Sequence, residues 1–128
     1  MTYAAKAYSA NQNQTDVLIA KPNELILLVY ERVFDNLKLG MNEMEQDQYG
    51  AKYFSKAGEL INFGLLSTLN LSKGGEIAEN LSIIYKWALT ELNIARVQKS
   101  PEKIQNILNV LTPLYEGWLE ILPTNKKL

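Results

Sequence analysis

The chain of 128 residues contains no cysteine and no histidine. Without cysteine it has no disulfides, thiolate nucleophiles or zinc–sulfur sites, which suits a reducing compartment. Without histidine it lacks the commonest general base and neutral metal ligand. The sequence also has no Glu-x-x-His iron motif, phosphate-binding glycine loop or Gly-x-Ser-x-Gly elbow. We therefore predict a protein that is not an enzyme and that has no metal site and no cofactor.

Charge of one sign and long apolar runs are also lacking. Thirteen Lys and Arg residues balance fourteen Asp and Glu residues, for a net charge of −1, so no long-range field attracts nucleic acid or an anionic membrane. Residues 1–14 are polar and lack the apolar segment of a signal peptide. The longest apolar run, Leu25 to Tyr30, is too short to cross a bilayer. We predict a cytoplasmic protein without membrane insertion or nucleic-acid partners.

Apolar residues recur at helical spacing in two segments of the first half. Pro22 is placed where a first helical turn accepts proline, and this helix should end near Gln46. A second helix is expected from about Tyr49 to Asn70, closed by a positive-φ glycine of the Gly-Gly pair. The predicted core stripes comprise Ile26, Tyr30, Val33, Leu37, Met41 and Met44 in the first helix and Phe54, Ala57, Gly58, Ile61, Leu65 and Leu69 in the second.

The second half predicts two further helices. The third should run from about Gly75 to Gln98, and the fourth should begin with Ser100 as N-cap and Pro101 at its first position, with a bend at Pro113. Their core stripes comprise Ile77, Leu81, Ile84, Ala88, Leu92 and Ala95, then Ile104, Leu108, Leu111, Tyr115, Trp118 and Leu122. Short loops between four helices of similar length predict an all-α, antiparallel up-down four-helix bundle.

Boundaries of a single domain follow from this pattern. Residues 1–20 have weak periodicity and are expected to form a mobile N-terminal arm or short helix, residues 21–122 the bundle, and residues 123–128 a polar tail. The third helix has a second apolar stripe of Ile83, Trp87, Ile94 and Val97, and the second helix has one that includes Tyr53 and Leu60. Such stripes indicate either wide seams between bundle helices, covered in part by the arm, or a groove for an amphipathic partner helix.

A motif at the joint between the second and third helices resembles one known family. The residues Leu69, Lys73, Gly74, Gly75, Glu76, Ile77, Ala78, Asn80, Leu81 and Tyr85 match the signature of the flagellin-specific secretion chaperones known as FliS. Further matches are Lys6-Ala7-Tyr8, Pro22 with Leu25, Tyr30 and Trp118. The resemblance therefore covers roughly residues 3–120.

The resemblance implies a function that the periodicity does not show. In this family the disordered C-terminal segment of flagellin wraps round the bundle and folds into short helices, which masks it before export. It implies flagellin and a component of the flagellar export gate as partners. The predicted flagellin-binding residues are Tyr3, Tyr8, Ile83, Trp87, Ile94, Tyr53 and Leu60, and the predicted structural signature is Pro22, Leu25, Tyr30, Lys73, Gly74, Gly75, Asn80, Leu81 and Tyr85.

Several of these residues have a second interpretation. Tyr8, matched to the tyrosine of the family's displaceable arm, could equally be a packing residue, and Tyr3 is a similar candidate. For Asn80 and Tyr85, capping or hydrogen bonding in the core is expected in preference to ligand contact. The resemblance also implies a competing function, a regulatory adaptor that sequesters an anti-sigma factor or another flagellar regulator on the same helical surface. A carboxylate enzyme would need two facing buried acids, whereas the acids here flank helix ends.

Overall fold

Four helices occupy the part of the chain that the structure describes. The computed structural model describes residues 22–121, and the side chains of residues 24–120. Helix α1 spans Pro22–Glu45, α2 spans Ala51–Glu59 and continues into a π-helical segment at Leu60–Leu66, α3 spans Leu71–Gln98, and α4 spans Pro101–Ile121. The predicted arm and tail, with Tyr3 and Tyr8, lie outside the described residues.

Each helix packs against two neighbours, as in a square bundle. Helix α1 contacts α2 and α4, and α3 contacts the π-segment, α2 and α4. The predicted stripes form the core, which in α1 includes Ile26, Val33 and Leu37 and in α4 includes Ile104 and Leu111. The prediction of an all-α four-helix bundle is confirmed. Among the described residues no charged side chain is buried.

Local signals in the sequence explain where α3 ends and α4 begins. Lys99 adopts a left-handed conformation with φ 52°, and the Ser100 amide donates to the Ala95 carbonyl at 2.9 Å, which closes α3. The Ser100 hydroxyl oxygen then accepts a hydrogen bond from the Lys103 amide at 3.2 Å. Ser100 is therefore the N-cap of α4, as predicted.

The second helix differs from the prediction at its C-terminal end. Its helical residues end at Leu66, not near Asn70, and the Gly-Gly pair does not close it. Asn70 instead begins the next helix, because its side chain accepts a hydrogen bond from the Lys73 amide at 3.1 Å. Gly75 has the expected positive φ, 57°, but inside α3, where it separates the turn Leu71–Gly74 from the long helix.

Glycine allows α1 and α2 to approach closely at the other end of the bundle. A Cβ added to Gly40 would come within 2.4 Å of the Phe54 ring. Phe54 itself is fully buried, so the ring has no free space into which it could move. A side chain at Gly40 would therefore force these two helices apart.

A hydrogen-bonded aromatic cluster joins α1, α3 and α4. The hydroxyls of Tyr30 and Tyr85 are 2.6 Å apart and buried, and the Trp118 side chain also hydrogen bonds to Tyr30. Burial is the main reason that the pKa of Tyr30 is well above its ordinary value, with the neighbouring Tyr85 as a further cause. Both signature tyrosines therefore lie in the core, where their polar ends bond to one another.

Candidate functional site

The predicted flagellin-binding residues within the described part of the chain lie on the outside of the bundle. Ile83 is 65% exposed, and Trp87 and Ile94 are partly buried on the same helix. Tyr53 and Leu60 are partly buried on α2 and the π-segment. Side chains of this kind are held by the fold and still present apolar surface to a partner.

Tyr53 and Leu60 face α1. The Arg96 guanidinium donates to Ser55 Oγ at 3.4 Å, so Ser55 marks the side of α2 that faces α3. Tyr53 is two residues away, about 200° round the helix. A cavity of about 500 Å³ on the outer face of α2, lined by Tyr53 and Ser55, also reaches Asn36 of α1. Leu60 is seven residues further on, almost on the same side. We call this surface, with Tyr53 and Leu60, the α1–α2 seam.

Close packing continues along the α1–α2 seam. A Cβ at Gly64, in the π-segment, would lie 2.9 Å from Val29 Cγ1 of α1. The glycine therefore lets the π-segment lie directly against α1. The seam is consequently shallow at Gly64 and opens toward Leu60 and Tyr53.

Trp87 faces a different neighbour, and Ile83 lies one turn before it on α3. The Asn106 side-chain amide of α4 donates to Glu91 Oε2 at 3.3 Å, which marks the side of α3 that faces α4. Trp87 lies one turn from Glu91, and Val110 lies one turn from Asn106. Because the two helices are antiparallel, Trp87 and Val110 lie at the same height along the bundle axis. We call this surface, with Ile83, Trp87 and Val110, the α3–α4 seam.

The structure therefore does not bring the predicted residues into one groove. Trp87 is nine residues from Arg96, which marks the side of α3 that faces α2, and nine residues amount to about 180° round a helix. The α1–α2 seam and the α3–α4 seam consequently lie on opposite sides of the bundle. Ile94 lies three residues beyond Glu91, toward the C-terminal end of α3.

Sequence analysis missed several exposed apolar side chains. Leu28 and Leu39 on α1 are 43% and 46% exposed, and Phe63 in the π-segment is 66% exposed. The signal for Leu28 was present, because an apolar run from Leu25 to Tyr30 cannot place every residue toward the core of an amphipathic helix. Phe63 could not be assigned by counting, since the π-segment changes the angle per residue.

The structure also places the residues of the predicted signature. Tyr30, Leu81 and Tyr85 are buried, whereas Leu25 is 42% exposed. Asn80 is exposed and lies outside the core. Pro22 is the first residue of α1, and Lys73, Gly74 and Gly75 form the first turn of α3 and the break that follows it.

The titratable groups on the surface do not form a reactive cluster. The Tyr115 hydroxyl donates to Glu31 Oε2 at 2.7 Å, and this hydrogen bond is the main reason that the pKa of Tyr115 is raised to about 12. Within residues 22–121 no group of three or more potential metal-ligating side chains occurs. Fold and surface together define a helical scaffold whose candidate functional features are the exposed apolar seams.

Comparison with known proteins identifies the family. The family model described as "Flagellar protein FliS" matches residues 4–125. The flagellar secretion chaperone FliS of Salmonella typhimurium is 32% identical over 120 residues, which cover 92% of this chain and 89% of the relative. The FliS of Campylobacter jejuni is 32% identical over 121 residues, covering 92% and 90%. The flagellar secretion chaperone FliSB of Pseudomonas aeruginosa is 27% identical over 117 residues, covering 90% and 92%.

This chain belongs to the FliS family of flagellar secretion chaperones. The family consists of chaperones, so the prediction that the chain is not an enzyme is confirmed. None of the helices described here is long and apolar enough to cross a membrane.

Proposed function

We propose that this chain binds the disordered C-terminal segment of flagellin in the cytoplasm, prevents its premature polymerisation and delivers it to the flagellar type III export apparatus. Membership of the FliS family supports a client that is exported through the flagellum. The exposed apolar side chains on the outside of the bundle support a client that contributes apolar side chains of its own.

The observation that carries this proposal is the separation of the two seams. Tyr53 with Leu60 and Trp87 with Ile83 lie on opposite sides of the bundle, so one short helix cannot contact both pairs. A disordered segment of several tens of residues can contact both, because it folds on the surface as it binds. Masking apolar residues over a long stretch of the client is the property that prevents polymerisation.

Partly buried side chains on the seams suit a client that must later be released. Trp87 packs against the core along part of its surface, so it is held in place before the client arrives. Contact with such a pre-ordered aromatic side chain costs little conformational entropy. The ordering cost then falls on the client, which limits affinity and allows the chaperone to hand the client over.

Titration calorimetry tests the proposal with a peptide of about the last fifty residues of flagellin from the same organism, with circular dichroism of the mixture alongside. We expect one-to-one binding, a gain of helix and a negative heat-capacity change. Absence of binding at tens of micromolar would overturn the flagellin assignment. Binding of an anti-sigma factor in its place would then support the adaptor hypothesis.

Two variants test whether the client contacts both seams. Ile83→Ser changes an exposed residue of the α3–α4 seam, and Tyr53→Ser changes a residue of the α1–α2 seam. A client that wraps round the bundle loses affinity with either change. A client that occupies a single groove loses affinity with only one, and that result would contradict the wrapping arrangement while leaving the choice of client intact.

A further inference from the structure

A basic and apolar surface lies at the end of the bundle where α2 begins and α3 ends. Tyr49, Ala51, Arg96 and Val97 line a cavity of about 340 Å³. Val97 is 85% exposed and Tyr49 is 68% exposed. Together with Lys99, we call these residues the basic end. The basic end is separate from the Ile83 end of the α3–α4 seam, since Val97 is fourteen residues from Ile83, about 20 Å along α3, and it adjoins Tyr53 of the α1–α2 seam.

The cations of the basic end have no carboxylate partners among the residues that the structure describes. Arg96 bonds only to the neutral Ser55 hydroxyl, at 3.4 Å. The Lys99 ammonium lies over the Tyr49 ring, 4.3 Å from its centroid. The nearest acids along the chain, Asp47 and Glu102, form no ion pair with either cation, because the one ion pair within this range joins Lys56 to Glu59.

The start of α2 adds to the positive potential at the same place. Gly50 is the N-cap and makes no side-chain hydrogen bond to the helix, and the first turn contains no acidic residue. The free amides of that turn therefore keep their partial positive charge. Lys52, in the same turn, lies over the Tyr53 ring at 5.0 Å from its centroid. Three cations, Lys52, Arg96 and Lys99, and the amides of the first turn of α2 thus lie near one another without an ion pair among the described residues.

We propose that the basic end binds a short protein segment in which an apolar side chain is flanked by carboxylates. The apolar side chain would lie between Tyr49 and Val97, and the carboxylates would pair with Arg96, Lys99 and the first turn of α2. Charge complementarity favours an acidic partner. The exposed side chains of Tyr49 and Val97 favour a peptide with an apolar residue over a free anion. Nucleic acid fits less well, because Lys99 already covers one face of the Tyr49 ring, which a base would need for stacking.

Because this surface is distant from Ile83, the segment binds without displacing a client from the α3–α4 seam. The inference does not depend on which client the seams bind. It gives the scaffold a second docking point, at which an acidic partner can hold the chaperone while the client stays masked.

Nuclear magnetic resonance of the full chain, labelled with nitrogen-15, tests the proposal. The probe is a capped peptide of about a dozen residues in which a leucine follows each pair of aspartates, titrated to about 1 mM. We expect amide shifts concentrated in residues 49–53 and 95–100. Shifts that are absent at this concentration, or that centre on Ile83 and Trp87, would overturn the proposal.

Matched peptides and variants separate the contribution of charge to binding from the contribution of the apolar contact. The double variant Arg96→Gln with Lys99→Asn should bind at least about tenfold more weakly, whereas Lys38→Gln with Lys86→Gln, an equal charge change at exposed positions elsewhere, should bind as the parent does. Asparagine at position 99 also tolerates the left-handed backbone there. Val97→Ser should weaken binding without affecting folding.

Three results would overturn the proposal. One is equal affinity of the two double variants. Another is equal binding of a peptide with alanine in place of leucine, which would show an anion site without apolar recognition. The third is tighter binding of a single-stranded oligonucleotide of the same charge than of the acidic peptide.

Discussion

Trp118 and Trp87 carry the same indole ring in opposite surroundings. Trp118 is 1% exposed and hydrogen bonds to Tyr30 in the aromatic cluster. Trp87 lies on the α3–α4 seam with part of its ring in contact with the core and part accessible. Trp118 is surrounded by the protein's own side chains, whereas Trp87 is only partly covered by the residues that the structure describes. We therefore expect folding to depend on Trp118, and we propose that partner binding depends on Trp87.

The largest expected effect is on Trp118. We expect Trp118→Ala to lower the free energy of unfolding by about 3–5 kcal/mol. The substitution removes a large buried ring and leaves a cavity that the surrounding core side chains cannot fill. Urea unfolding followed by circular dichroism measures this loss, with Trp87→Ala as the matched control. A loss for Trp118→Ala as small as that for Trp87→Ala would contradict the distinction between core and seam.

The second prediction concerns the free face of Trp87. We expect Trp87→Ala to weaken binding of the flagellin peptide by about 2 kcal/mol, with folding nearly intact, because a large aromatic contact at the interface is lost. Calorimetry measures the affinity and urea unfolding measures the stability. A change that reduces stability by several kcal/mol would instead place Trp87 with Trp118 as a core residue.

A third prediction addresses the polar groups within the core. Tyr30→Phe removes one hydroxyl of the 2.6 Å pair with Tyr85, and we expect the free energy of unfolding to fall by about 1 kcal/mol. Tyr85→Phe and the double variant complete a double-mutant cycle by urea unfolding. A coupling energy near zero would show that the two hydroxyls contribute independently, although they are adjacent.

The smallest expected effect is the pH dependence of Tyr115, near the edge of the aromatic cluster. Its pKa is raised to about 12, chiefly by the hydrogen bond to Glu31, against about 10 in the unfolded chain. The stability that this bond provides is fully present below pH 10 and is lost as the pH rises toward 12. We therefore expect stability to fall less steeply over this interval in Tyr115→Phe than in the parent chain.

Urea unfolding at a series of pH values above 9 measures the two slopes. Tyr49→Phe is the control, because Tyr49 is exposed and makes no hydrogen bond to a carboxylate among the described residues. A slope for Tyr115→Phe as steep as that of the parent chain would show that the Glu31 contact has no role in stability.

Helical periodicity predicted most of the core, because each helix needs one apolar stripe and the four stripes are long. Ser100 as N-cap followed from local chemistry that acts within one turn. The pairing of Tyr30 with Tyr85 could not be predicted, since the two residues are far apart in sequence and meet only after the helices pack. No sequence pattern predicted the π-segment. The second helix ends with this segment at Leu66, before the predicted end near Asn70.

The candidate site was less accessible to sequence reasoning than the fold. The two apolar stripes suggested one groove, but stripe angles within separate helices do not show which neighbour each stripe faces. The contacts Ser55–Arg96 and Glu91–Asn106 supply that information. Part of the family signature belongs to the fold, because Tyr30, Leu81 and Tyr85 are buried. Leu25 and Asn80 of the same signature are exposed, so burial alone does not assign their role.

The positions of the two indole rings also make the chain its own optical reporter. Trp118 loses its apolar surroundings only when the bundle unfolds, so its emission shifts to longer wavelength with denaturation. Trp87 is partly accessible to water in the free chain, so its emission should shift to shorter wavelength when a partner covers the α3–α4 seam. Replacing Trp87 with phenylalanine leaves Trp118 as a reporter of unfolding alone, whereas replacing Trp118 leaves Trp87, which reports partner binding under conditions where the bundle stays folded. Neither measurement needs an attached dye.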